Sequence, residues 1–288
     1  MYTTPRRPSY RAPQKPQKQT PLLYRLMTRK EFLFTISALI TGALAFAFFG
    51  IDHGAKTPAS GTTPANKQAA GIAGENTSTA AFNMKKYSLS DPKSLWLIVN
   101  KQRPLNPKTY KPAHLVVPNI ALRSNITSTE KYVRADMATA LEAMVKDAAA
   151  QGVHFNLQSG YRSYDFQVAL YNGYVQSQGK AVADRQSARP GYSEHQTGLA
   201  ADLGGTSQPS CNVEACYADT IEGKWLAANG YKYGFIIRYA SDKESVTGYL
   251  YEPWHIRYIG TELSNQMHSQ GVETLEQFFD VAGGTTYN

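Results

Sequence analysis

Residues 193–202 read SEHQTGLAAD and place a histidine, His195, seven positions before an acidic residue, Asp202. This spacing would align the two side chains on a straight helix, but Gly198 between them weakens a helix. A loop that leads into a strand over residues 200–203 is the more natural interpretation. The small residues beside Asp202 would then let the backbone bring His195 back towards its carboxylate.

The segments on either side predict helices and strands that alternate irregularly, and no internal repeat is visible. Helices are predicted over residues 135–151, 164–178 and 224–229 from apolar spacing and glycine stops. Strands are predicted over residues 95–99, 154–157, 200–203, 235–239 and around Trp254. Because the regular βαβ rhythm of a parallel sheet is missing, the pattern favours the α+β class.

A second histidine and carboxylate occur close together in YEPWH, residues 251–255. Pro253 biases Glu252 away from helical geometry. On a flat strand, Glu252 and His255 would point to opposite faces. If both serve one site, a turn or bulge must therefore lie between them.

The two clusters together offer His195, His255 and Asp202 as metal ligands, with Glu252 to spare. Hydrolytic zinc needs three protein ligands, an open position for water and a nearby base. Glu252 could be that base. The alternative is that the histidines are structural residues at strand ends, since isolated His and Asp pairs are usually structural.

A third element, SGYRS, covers residues 159–163. Its glycine favours a tight turn that would hold Arg162 at the edge of a pocket. A guanidinium there could stabilise an oxyanion or bind a terminal carboxylate. A surface ion pair is the alternative for a lone arginine.

These three elements, in this order, resemble signatures of a known enzyme family. The stretches are SGYRSYDFQVALY (159–171), PGYSEHQTGLAADL (190–203) and YEPWHIRYIG (251–260). They are similar to the SGYRS, SxHxxGxAxD and ExxWH signatures of VanY/DacB-type D-alanyl-D-alanine carboxypeptidases, in zinc peptidase family M15. The resemblance covers roughly residues 95–265, and it implies an α+β fold of the LAS type, a small antiparallel sheet flanked by helices.

The resemblance also implies a role for each site residue. It makes His195, Asp202 and His255 ligands of Zn²⁺, Glu252 the general base, Arg162 a catalytic and substrate-binding arginine, and Ser159, Gln167 and Ser193 contacts for the terminal residue of the substrate.

The activity that the resemblance implies is zinc-dependent D,D-carboxypeptidase action on the stem peptides of peptidoglycan. An L,D-carboxypeptidase or a D,D-endopeptidase could share all three motifs. A non-catalytic cell-wall-binding module is a remote alternative. It would require a missing ligand or base, and all four of these residues are present.

The N-terminal region predicts a membrane anchor. Residues 1–31 carry eight basic residues and one acidic residue, so seven of the eight net positive charges lie there. The body is nearly neutral, which argues against nucleic acid as a partner. Residues 32–51 are twenty uncharged residues, long enough to span a bilayer. The flanking basic residues keep the N-terminus cytoplasmic.

We therefore predict a basic cytoplasmic tail over residues 1–31, a transmembrane signal-anchor over 32–51 and a flexible linker over 52–85. Residues 86–288 would form the catalytic domain, outside the cytoplasmic membrane on a single-pass protein. Small residues within 43–47 also fit a cleavage site, and cleavage there would make the protein secreted.

The chain has two cysteines, Cys211 and Cys216. In an exported protein they would form a local disulfide. Metal binding is the alternative, but two further ligands would be needed nearby.

Overall fold

The structure is a computed structural model that describes residues 82–127 and 129–288. The predicted cytoplasmic tail, the predicted transmembrane segment and most of the predicted linker lie outside the described residues. Within these two ranges, no helix combines the length and the apolar character that crossing a membrane requires.

The central element is a four-stranded antiparallel sheet with strand order β3-β4-β6-β5. A two-stranded antiparallel sheet, β1-β2, is separate from it. In the described residues the strands are β1 (Leu115–Val116), β2 (Val133–Arg134), β3 (Phe155–Ser159), β4 (Ala200–Gly205), β5 (Phe235–Tyr239) and β6 (Glu252–Tyr258). The predicted α+β class with a small antiparallel sheet is confirmed.

Helices flank the sheet. In the described ranges they are α1 (Ala135–Ala149), α2 (Tyr164–Gln178), α3 (Lys180–Gln186), α4 (Ile221–Asn229), α5 (Glu244–Thr247), α6 (Thr261–Gln270) and α7 (Leu275–Phe279). The bounds of α2 are those predicted. It begins after Ser163, whose side chain accepts a hydrogen bond from the Phe166 backbone N–H at 3.1 Å. This is the N-cap contact that serine favours.

One face of the sheet packs on α1 and forms the main core. The helix buries Met137, Leu141, Met144 and Ala148, the apolar positions of the predicted face. From the sheet, Leu157, Ala201, Leu203 and Ile256 join the same cluster. Side chains alternate along a strand, so the residues between these positions lie on the opposite face. That face carries Asp202, His255 and Arg257.

The prediction of a strand over residues 95–99 is wrong. This segment is irregular, although Trp96, Leu97, Ile98 and Val99 are buried. Trp96 and Ile98 pack in a second apolar cluster with residues of α6 and α7, and the Trp96 indole N–H donates to the Ile259 carbonyl at 3.1 Å. The apolar run is thus explained by packing rather than by strand pairing.

Candidate metal centre

Three predicted ligands converge at one point of the sheet. Nitrogens of His195 and His255 and a carboxylate oxygen of Asp202 all lie within 4.8 Å of one another. Each of the three residues is only 3% exposed. Asp202 lies on β4 directly opposite His255 on β6. His195 comes from the short 3₁₀ turn Glu194–Thr197 that precedes β4.

Gly198 allows that turn to end sharply enough to enter β4. Its φ is +70°, in the left-handed region that favours glycine. A Cβ at this position would also lie 3.0 Å from a side-chain carbon of Leu115. Gly198 predicts a break in any helix between His195 and Asp202, and the structure confirms a turn followed by a strand.

The two histidines present different ring nitrogens to Asp202: His195 presents Nε2 and His255 presents Nδ1. The Nδ1 of His195 is 2.7 Å from the Gly160 carbonyl oxygen, and its Nε2 is 3.4 Å from Asp202 Oδ2. In His255, Nδ1 is 3.1 Å from Asp202 Oδ1. The Nε2 of His255 points away, 3.5 Å from Glu194 Oε2.

Glu252 reaches the same site because the pairing of β5 and β6 is irregular. Ile237 pairs with Ile256, but Tyr239 pairs with Glu252, so two steps along β5 match four along β6. The Oε2 atom of Glu252 consequently lies 3.7 Å from His255 Nδ1. The predicted turn or bulge between Glu252 and His255 is confirmed.

Burial and neighbouring charges shift the pKa values of His195, Asp202, Glu252 and His255. Burial raises the pKa of Glu252 to about 8. Burial also lowers the pKa of His195, and the Arg162 charge adds to this. For His255, burial acts to lower the pKa, but the hydrogen bond to Asp202 and the nearby Glu194 carboxylate raise it to about 9.

Asp202 behaves in the opposite way to Glu252. Burial alone would raise its pKa, but His195 and the Arg162 guanidinium hold it well below its usual range. Asp202 is therefore ionised, while Glu252 retains a proton at neutral pH when no cation is present. A bound dication would favour the ionised form of Glu252 as well.

These residues fit a zinc ion. Two imidazoles and one carboxylate are the donor set of many catalytic zinc sites. The Gly160 carbonyl oxygen also contacts His195 Nδ1, which leaves Nε2 free for a metal. Histidines that bind a metal through one ring nitrogen commonly donate a hydrogen bond from the other.

Arg162 and Ser159 both contact the Asp202 carboxylate. The Nη2 of Arg162 donates to Asp202 Oδ2 at 2.8 Å and to Ser159 Oγ at 2.6 Å. The Ser159 hydroxyl in turn donates to Asp202 Oδ2. Among the described residues, no hydrogen bond uses Arg162 Nη1. Arg162 lines the cleft, as predicted, and keeps this donor free.

The site opens into a cleft of about 730 Å³. All three predicted substrate contacts are buried; Gln167 and Ser193 line this cleft, whereas Ser159 lies beside Asp202 and does not line it. Gln167 donates to the Ala188 carbonyl at 2.7 Å, and within the described part of the chain its buried Oε1 has no hydrogen-bond partner. The roles of the three residues as substrate contacts stay predictions.

The predicted disulfide between Cys211 and Cys216 is confirmed, and the loop it closes forms part of the cleft wall. Residues 213–215 of this loop line the cleft. Asn212 ties the loop to β4, because its side chain accepts from the Gly205 N–H at 2.8 Å and donates to the Gly205 carbonyl at 3.1 Å.

A buried group of charges behind His255 was not predicted from the sequence. Glu194 Oε1 accepts from Arg238 Nε and from Arg257 Nη1, each at 2.8 Å. One signal was available, since Arg257 is two residues after His255 and so shares its face of β6. Arg238 is fully buried on β5, and nothing in its local sequence distinguishes it from a surface arginine.

A family model described as VanY: D-alanyl-D-alanine carboxypeptidase matches residues 130–261, which include every predicted site residue. Over 193 residues the chain is 38% identical to YodJ of Bacillus subtilis (strain 168), a match that covers 67% of this chain and 70% of that protein.

Two solved structures share the fold. The LdcB LD-carboxypeptidase is 39% identical with a TM-score of 0.62, over 66% of this chain and 88% of that chain. A mutant of the vancomycin resistance D,D-pentapeptidase VanY from a VanB-type cassette, in complex with Zn(II), is 31% identical with a TM-score of 0.51. That match covers 65% of this chain and 98% of the other.

Proposed function

Because the chain belongs to the VanY family of D-alanyl-D-alanine carboxypeptidases, we propose that it is a zinc-dependent enzyme that removes the terminal D-alanine from peptidoglycan stem peptides. That the chain is an enzyme of the carboxypeptidase class follows from the family. The zinc-dependent reaction is supported by one observation above all. Ligand atoms of His195, Asp202 and His255 lie within 4.8 Å of one another, at a cleft that Glu252 also lines.

The zinc ligands in this proposal are His195 Nε2, His255 Nδ1 and the Asp202 carboxylate. When bound, zinc supplies Lewis-acid activation of the scissile carbonyl and of the attacking water. Glu252 accepts the proton of that water on its carboxylate and passes it to the leaving amine. Burial suits Glu252 to this exchange, because it raises the carboxyl pKa towards the working pH.

Arg162 gives the site its preference for a chain end. Its side chain is 17% exposed and lines the cleft beside the metal ligands. The free Nη1 can donate to the terminal carboxylate of a peptide, a charge-assisted contact that an internal peptide bond cannot make. Gln167 Oε1 and the Ser193 hydroxyl are the neighbouring groups available to the terminal residue.

L,D-Carboxypeptidase activity is the second candidate. The similarity to the LdcB LD-carboxypeptidase, at 39% identity, is higher than that to the D,D-pentapeptidase VanY, at 31%. The two activities differ in whether the residue before the terminal D-alanine is D or L.

The test is hydrolysis of matched muropeptides by the full-length chain, followed by mass spectrometry. We expect loss of one alanine from a pentapeptide that ends in D-Ala-D-Ala, and no loss after chelation of zinc. Preferential cleavage of the tetrapeptide would favour the L,D-activity, and cleavage of a cross-linked dimer would indicate an endopeptidase. Cleavage that persists in chelator would contradict the zinc proposal.

We also propose that residues 32–51 anchor the enzyme in the cytoplasmic membrane with the catalytic domain outside. The support is the uncharged stretch of twenty residues and the basic residues before it. Accessibility of the catalytic domain to protease added outside intact cells would test this, and full protection of the domain would contradict it.

A further inference from the structure

A closed group of buried charges lies directly behind His255. Glu194 is 1% exposed, and Arg238 and Arg257 are fully buried. Both arginines donate to the same oxygen of Glu194, Oε1. Arg238 also donates two hydrogen bonds to Glu276, at 2.6 and 2.9 Å. Two carboxylates thus balance two guanidiniums, and the position of Glu194 is fixed by its neighbours.

Two atoms in this region lack hydrogen bonds. Across the described residues, neither Glu194 Oε2 nor His255 Nε2 has a hydrogen-bond partner, and both are buried. They face each other at 3.5 Å. Leaving buried polar atoms unsatisfied is unfavourable, so a small approach that joins the two is favourable. A carboxylate can only accept, so the proton of that contact must lie on His255 Nε2.

We propose that Glu194 is a positioning residue that keeps the proton of His255 on Nε2 and so directs the Nδ1 lone pair to the metal position. This inference rests on the proposed zinc site. It explains why His255 offers Nδ1 while His195, held by the Gly160 carbonyl at Nδ1, offers Nε2. A carboxylate behind a ligating histidine also increases the basicity of the ligand.

Replacement of Glu194 by glutamine should reverse this arrangement rather than merely weaken it. The two arginine donors require an oxygen at the Oε1 position. The amide nitrogen would therefore take the Oε2 position and point its N–H at His255 Nε2. A donor there favours a lone pair on Nε2, which moves the proton to Nδ1, where it blocks the metal.

Glu276→Gln is the matched control. Glu276 is equally buried, at 2% exposure, and it binds Arg238 and Asn100. This variant disturbs the same charge group without changing the residue that faces His255. We expect Glu194→Gln to weaken zinc affinity about 10–100-fold and Glu276→Gln to change it by less than about threefold.

The decisive measurement uses the wild-type full-length chain loaded with zinc and labelled with ¹⁵N-histidine. We expect NMR to show the His255 proton on Nε2 and zinc on Nδ1. Zinc on Nε2 would overturn the inference and leave the proposed function intact, whereas absence of zinc binding would overturn the proposed function itself. Glu194→Gln that binds zinc as tightly as Glu276→Gln would also overturn the inference. If that variant does not fold, a wild-type His255 Nε2–H signal without the downfield shift of a hydrogen bond to a carboxylate would overturn it.

Discussion

Asp202 and His255 are paired residues on neighbouring antiparallel strands, and this pairing alone brings a carboxylate oxygen within 3.1 Å of an imidazole nitrogen. Side chains of directly opposed residues lie on the same face of a sheet. Two of the three proposed ligands are therefore fixed by strand register, and a slip of one residue would separate them. Only His195 depends on the conformation of a turn.

Glu252→Gln should separate metal binding from catalysis. The substitution removes the proton acceptor but keeps the shape of the side chain. We expect zinc content to stay at the wild-type level and kcat to fall by about 10²–10⁴-fold. The control is Glu273→Gln, an exposed glutamate that pairs with Lys243 and does not line the cleft. Hydrolysis by Glu252→Gln at the control rate would show that another group is the base.

Ser159→Ala should affect metal binding rather than substrate binding. The Ser159 hydroxyl is buried between Arg162 and Asp202, so its loss leaves the Asp202 carboxylate less firmly held. We expect zinc affinity to fall by about tenfold, with KM nearly unchanged at saturating zinc. Ser193→Ala is the comparison, because Ser193 lines the cleft. An increase in KM for Ser159→Ala with unchanged zinc affinity would support the predicted substrate contact instead.

Replacement of both Cys211 and Cys216 by serine should weaken substrate binding and stability together. The disulfide closes a loop whose residues 213–215 line the cleft. For so short a loop we expect a loss of about 2 kcal/mol in the free energy of unfolding. Denaturant unfolding and KM for the pentapeptide measure the two effects. Unchanged KM would show that the loop does not contact substrate.

Asp184→Asn should reveal a pH-dependent contact between α2 and α3. Asp184 on α3 accepts from Tyr171 on α2 at 2.7 Å and from Arg189 at 2.8 and 3.0 Å. Burial acts to raise the Asp184 pKa, but these hydrogen bonds hold it below its ordinary value of 3.8. A lowered pKa contributes stability above the unfolded-state pKa, and that contribution disappears as pH falls through the folded-state pKa.

The free energy of unfolding of Asp184→Asn should therefore be lower than that of the wild type by about 1 kcal/mol near neutral pH, a modest value because the pair is partly exposed. The difference should shrink when both proteins are measured in acid. A difference that stays constant down to about pH 2.5 would show that the charge of Asp184 does not produce the effect.

The residues of the proposed site could be predicted from local sequence, because each lies in a short segment whose neighbours restrict the backbone. Gly198 ends the turn of His195, and Pro253 keeps Glu252 out of a helix. The relation between Glu252 and His255 could also be anticipated, since alternation along a strand required an irregularity. The structure supplies it through pairing with β5.

Neither the buried charge group nor the irregular conformation of residues 95–99 could be predicted in the same way. Arg238 and Glu276 are 38 positions apart, and their contact depends on the packing of α7 against the sheet. The apolar run at residues 96–99 has the sequence pattern of a buried strand. An irregular segment that buries side chains on two sides gives the same pattern. Only tertiary packing distinguishes these cases.

The proposed mechanism requires one zinc ion at the site, and anomalous diffraction at the zinc edge from crystals of the full-length chain tests for it. We expect a single zinc about 2.0–2.2 Å from His195 Nε2, His255 Nδ1 and an Asp202 oxygen. His195→Ala should lose the signal, whereas His154→Ala, which changes an exposed histidine outside the cleft, should keep it. Zinc bound elsewhere, or retained in His195→Ala, would contradict the proposed zinc site.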